Sequence, residues 1–173
     1  MRSRFRSISI VGFVTLLAAC QPAGRPVSEA TYRAFKGLEG AIGIGVSKLA
    51  YDEHLRSAAA ELLILADLSA DTEDSLALRH YGEALLKYKD AGTLWTEQID
   101  DGRYDWIPEG RIYNTHTDIA ARYSLETQSH KMRYSGTTFT TVAATSIQII
   151  WERAGVDSDS AHNVVVNQLR RAR

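Results

Sequence analysis

One cysteine, three prolines and no surplus of positive charge set the first limits on this sequence. With Cys20 as the lone thiol, no intramolecular disulfide can form, and the fold is left to packing for its stability. Twenty Lys and Arg stand against 21 Asp and Glu, which lacks the basic excess of a general nucleic-acid binder or a polybasic lipid-surface binder. No H-E-x-x-H pairs any of His54, His80, His116, His130 and His162 in a metal signature. No G-x-S-x-G or activated cysteine offers a nucleophile. The composition is that of an ordinary soluble domain, and the length suits one core.

The stretch Gly37-Leu-Glu-Gly-Ala-Ile-Gly-Ile-Gly-Val-Ser-Lys48 has the density of glycine found in phosphate-binding loops. A Walker loop needs a lysine directly after its last glycine, where this chain has Val46 after Gly45. A dinucleotide loop needs a third glycine where Lys48 stands, and a strand before it. Neither nucleotide nor dinucleotide binding is expected. The reading left is a ridge of small residues that lets another helix approach, or a bend in the helix. On the ridge reading, Gly40→Leu destabilises the fold far more than the exposed change Lys48→Leu.

The N-terminus is different in kind. Arg2, Arg4 and Arg6 precede an uncharged apolar stretch from Ser7 to Ala19, the pattern of a signal peptide too short to span a membrane as a mature helix. It ends in Leu17-Ala18-Ala19-Cys20. These residues resemble the lipobox of bacterial lipoproteins, small residues before an obligatory cysteine; the resemblance covers residues 1–20. It implies diacylation of the Cys20 sulfur, cleavage after Ala19 and further acylation of the new amine, giving a durable membrane anchor. It also implies a bacterial cell envelope, with Gln21 rather than Asp after the cysteine favouring the outer membrane. Loss of the three signal arginines leaves 17 basic against 21 acidic residues, a net charge of −4.

Residues 20–27 carry Pro22, Gly24 and Pro26 and read as a lipidated tether with a reach of about 25 Å at roughly 3.3 Å per residue. Residues 28–173 read as a single helical domain. A first helix is expected from Ser28 to about Asp67, on the stripe Phe35, Leu38, Ile42, Val46 and Leu49 and onward through Leu62. After a turn at residues 69–72, a second follows on Leu78, Tyr81, Leu85, Tyr88, Gly92, Trp95 and Ile99, completing a long helical hairpin. Residues 100–114 form a loop. A third helix is expected from near Thr115 through Met132, and a fourth over 138–153, whose β-branched run has no visible partner strand. Gly155 reads as its stop, and a last helix ends in Arg170, Arg171 and Arg173. The expectation is an all-α bundle of four or five helices built on the N-terminal hairpin.

The loop interleaves Tyr104, Trp106 and Tyr113 with Arg103 and Arg111, and aromatics with arginine are what protein interfaces concentrate. Tyr104, Trp106, Arg111 and Tyr113 are therefore the candidate partner contact, beside the alternative that Trp106 and Ile107 fold back to close the bundle. The expected function is a non-enzymatic accessory or interaction protein at the periplasmic face of the outer membrane, with no cofactor beyond the lipid on Cys20. One alternative is a small apolar or aromatic ligand held between helices near Tyr81, Tyr88 and Trp95. Another is a cell-wall hydrolase, or the inhibitor of one, using carboxylates such as Asp101 and Glu109.

Overall fold

A computed structural model describes residues 28–68 and 72–171; the signal segment, the box ending in Cys20, the tether and the turn at 69–71 lie outside the described residues. The elements are α1 (Ser28–Ile44), α2 (Lys48–Leu68), α3 (Thr72–Asp101), β1 (Arg111–Tyr113), α4 (Thr117–Arg122), β2 (Thr127–Lys131), β3 (Thr138–Ala143) and α5 (Ser146–Arg171). The chain is broadly helical but not all-α.

The helix expected over 28–67 is two helices, so the proposed hairpin gives way to three consecutive helices. Gly45 takes φ +76°, a left-handed conformation open to glycine, and its N–H closes back on the Ile42 carbonyl to end α1. Ser47 then caps α2, its Oγ accepting the Ala50 N–H at 3.3 Å. The ridge holds only in part: Gly37 faces His54 and Ala41 is buried, but a Cβ on Gly40 or Gly43 would meet nothing within 4 Å. The glycine-rich stretch is the bend, and Gly40→Leu has no close neighbour to displace.

Helices α1, α2, α3 and α5 form an antiparallel four-helix bundle. Thr31 Oγ1 donates to the Glu61 carbonyl across α1 and α2, while Gly37 faces His54 further along. Across α3 and α5, Asp74 accepts from Gln168 Nε2 at 3.0 Å and Trp95 lies edge-on to Trp151, at opposite ends of the pair. Ser28 Oγ donates to Gln168 Oε1 at 2.8 Å, which ties the start of α1 to the end of α5. Phe35, Leu38, Tyr51, Leu65, Tyr81 and Tyr88 fill the interior, each such side chain contributing about 1.5–3 kcal/mol by burial. Tyr51 crosses the middle, donating to the Tyr88 carbonyl at 2.6 Å and accepting from Trp151 Nε1 at 3.1 Å. Its ring lies 3.0 Å from where a Cβ of Gly92 would stand, which accounts for the glycine inside an otherwise regular α3.

The other correction is a three-stranded antiparallel sheet in the order β1-β3-β2. The run over 138–143 is a strand because its partners exist: Ile112 from the supposed loop pairs with Val142, and His130 from the supposed third helix pairs with Phe139. That third helix shrinks to α4. It closes in a Schellman motif, with Ser124 N–H on the Ala121 carbonyl and Leu125 N–H on the Ala120 carbonyl, which forces Ser124 to φ +51°. Asp90 holds α4 to α3, accepting from the Arg122 guanidinium and from the Tyr123 hydroxyl.

Gly155 does not end a helix. The buried stripe Ile147, Ile150, Ala154, Ser158, Ala161 and Val165 steps by three and four straight through it, and α5 runs on to Arg171. One face of the sheet, carrying Ile112 and Val142, packs on Ala91, Leu94, Ile119, Ile147 and Ile150 in a second core at the α3 C-terminal end of the bundle.

Candidate aromatic face of the sheet

The strand registers sort the side chains into two faces. Val142 and Ile112 point into the helical layer, so the alternate residues Arg111, Tyr113, His130, Phe139 and Thr141 share the opposite face. The chain between α3 and β1 folds over this outer face. Trp106 lies edge-on to Phe139 and Tyr113, with ring centroids 4.9 and 5.5 Å away, and Tyr104 leans on Trp106 at 5.6 Å. His130 stacks on Phe139 at 5.2 Å. Three of the four residues expected at a partner contact therefore come together. Trp106 and Tyr104 stay 40% and 51% exposed, and the bundle end is closed by Ile112 and Val142 in place of Trp106 and Ile107.

Arg111 is committed inside the sheet. Its Nε donates to Thr141 Oγ1 at 2.9 Å and its Nη2 to the Thr141 carbonyl at 3.1 Å, while His130 Nε2 shares the same hydroxyl. Sequence reasoning misses His130 and Phe139 because the pattern of their segments predicts helix, and misses the turn after β2 because that stretch reads only as a break between two helices. Beside Trp106, His130 and Phe139 that turn, from Lys131 to Ser135, walls a groove of about 530 Å³. Tyr134 at its rim is 96% exposed. The volume falls within the range of ligand-binding clefts.

The other expected sites fare differently. Tyr81 and Tyr88 are core side chains, and Trp95 packs edge-on to Tyr51 and Trp151; Trp95 and Tyr88 each also line a cavity of about 270 Å³, with Trp151 on the wall of both. Asp101 is buried, and its Oδ2 accepts the Tyr113 N–H at 2.5 Å, which fixes the start of the sheet. Burial pushes its carboxyl above the ordinary value of 3.8, with the Tyr113 N–H pulling the other way. Asp100 pairs with Arg103 at 3.1 Å, and Glu109 is exposed. Cys20 lies outside the described residues. His116 meets Glu97 at 3.1 Å. His162, three residues after Asp159 on the uninterrupted α5, meets both that carboxylate and Glu39 of α1.

The fold is thus a four-helix bundle with a small antiparallel sheet and an aromatic outer face. No protein-family model matches the chain, and neither does any curated protein or solved structure. Among the described residues, no helix is long and apolar enough to cross a membrane.

Proposed function

We propose that the chain is a lipid-anchored protein of a bacterial cell envelope, held to the outer membrane through Cys20, that captures a partner protein on the outer face of its sheet. The observation that carries this reading is the separation of the two ends. Ser28, where the tether joins the domain, is bonded to Gln168 near the end of α5, whereas the sheet runs into the opposite end at Ser146. At 1.5 Å per residue, those 22 residues of α5 put the two ends about 33 Å apart. An anchor before Ser28 then attaches at the end of the bundle remote from the aromatic face.

The face has the chemistry of an interface. Tryptophan and tyrosine supply most binding energy where proteins meet, and Trp106, Tyr104 and Tyr134 are presented together beside Lys131 and Arg133. β2 is an edge strand of the sheet, so its outer backbone groups are available to an added strand. The partner that fits is an extended segment bearing acidic residues. The groove volume also supports a second reading, a small aromatic ligand on the sheet face.

Cys20→Ser is expected to abolish acyl labelling and release the protein from the membrane fraction. Trp106→Ala is expected to lose the partner while circular dichroism stays unchanged. Membrane retention of Cys20→Ser, or partner binding by Trp106→Ala equal to wild type, would overturn the corresponding half of the proposal.

A further inference from the structure

A polar cluster is enclosed by aromatic rings along the seam of α1 and α5. His162 is 5% exposed and lies edge-on to Tyr32 and Tyr81, with ring centroids 4.9 and 5.6 Å away. Its Nδ1 is 3.6 Å from Asp159 Oδ1 and its Nε2 is 3.8 Å from Glu39 Oε1, both beyond hydrogen-bond length. Among the described residues, His162 Nδ1, Glu39 Oε1 and the Tyr81 hydroxyl are all buried without a hydrogen-bond partner. Buried polar atoms are nearly always paired, and an orphan costs about 1–3 kcal/mol. Three orphans at one place call for an occupant. Tyr81 is the independent witness: it comes from α3, is fully buried, and has its phenol pKa raised by burial and then by the nearby Glu39 carboxylate.

We propose that Glu39, Asp159 and His162 bind a divalent transition-metal cation of the zinc class, clasping α1 to α5. One ligand atom from each residue lies within 4.8 Å of the others. An imidazole with two carboxylates is a mixed nitrogen and oxygen set that suits Zn²⁺, whereas Ca²⁺ takes six or more oxygens. Three protein ligands leave a fourth position for water. Ser158 Oγ is 3.3 Å from His162 Nε2. With Nε2–H donating to it, the Nδ1 lone pair is left facing Asp159, the outer-shell support typical of metal-bound histidine. Burial also lowers the His162 pKa, favouring the neutral imidazole that a metal requires.

Lys36 is the resident competitor. Its Nζ sits 2.7 Å from Glu39 Oε2 and 3.6 Å from Asp159 Oδ1, so it occupies the outer oxygen of Glu39 and leaves Oε1 bare. Replacing it with an uncharged chain removes a cation that must move away from Asp159 when the metal enters.

The test is calorimetric titration of Zn²⁺ into the detergent-solubilised full chain, with the Tm followed in parallel. Wild type is expected to bind one Zn²⁺ and to gain Tm with its concentration. Glu39→Gln and Asp159→Asn are expected to bind at least about tenfold more weakly, Ser158→Ala about 10- to 100-fold more weakly, and Lys36→Met more tightly. Glu39→Gln keeps the side-chain shape and Asp159 is mostly exposed, so circular dichroism should show both folded. Co²⁺ supplies a second readout through visible absorption that the same two variants lose. No Zn²⁺-dependent rise in the wild-type Tm, or an unchanged response in either carboxylate variant, overturns the site.

Discussion

In the bundle, Phe35, Tyr51, Tyr81 and Tyr88 are sealed from solvent, whereas at the sheet end Tyr104, Trp106 and Tyr134 remain open to it. Both regions are rich in aromatic rings. The difference lies in what surrounds them: helices close around Tyr51 from α3 and α5, while on the outer face of the three-stranded sheet it is the short segment carrying Trp106 that packs on Phe139. Aromatic density in a sequence therefore does not separate a core from a binding face. Topology does, by deciding how many elements reach each ring.

The largest expected effect breaks the comparison on the bundle side. Phe35→Ala should cost about 3–5 kcal/mol of stability, because Phe35 is fully buried against Tyr81 at 4.4 Å between centroids. Trp106→Ala should cost distinctly less, since its ring is partly in water. Urea denaturation of both variants measures the gap, and equal losses would show the sheet face to be core. Next, Tyr51→Phe should cost about 1–3 kcal/mol by leaving the Tyr88 carbonyl and the Trp151 indole N–H without their shared hydroxyl.

Two smaller effects belong to the sheet end. Ser124→Gly should raise stability by up to about 1 kcal/mol, since a left-handed residue with a Cβ costs about 1–2 kcal/mol and glycine gives part of that back in chain entropy. A lower Tm for Ser124→Gly would contradict the cap. Asp101 sets a pH signature: its raised folded pKa means that the native state holds the proton more tightly than the unfolded chain. Its contribution to stability is then least at neutral pH and grows as pH falls through the window between the raised value and 3.8. Wild type should gain on Asp101→Asn as the pH is lowered from neutrality, read by denaturation at each pH.

The bundle was legible because its pattern is local. The steps of three and four in α3 name Tyr81 and Tyr88 as interior without reference to any other segment. The sheet was not, because β1 has three residues and β2 reads Thr-Gln-Ser-His-Lys, with no apolar alternation to mark it. The β-branched run of β3 is visible in the sequence, but the partners that make it a strand are supplied only by the fold. Gly45 and Gly155 reversed roles for a similar reason. A glycine ends a helix when the chain turns left-handed, as at Gly45, and passes unnoticed when flanking buried residues keep the stripe, as at Gly155. Of the candidate contact, Tyr104, Trp106 and Tyr113 were readable from composition. The Thr141 hydroxyl that claims Arg111 lies thirty residues away, beyond any local pattern.

The most direct test of the sheet face as the partner-facing end is site-specific photocrosslinking in intact cells. A benzophenone side chain at position 106 or 134 should give a discrete crosslink to a second envelope protein, and one at Leu63 or Val156, both exposed on the bundle, should not. A crosslink to the same protein from the bundle positions, or none from the sheet face, would contradict the account.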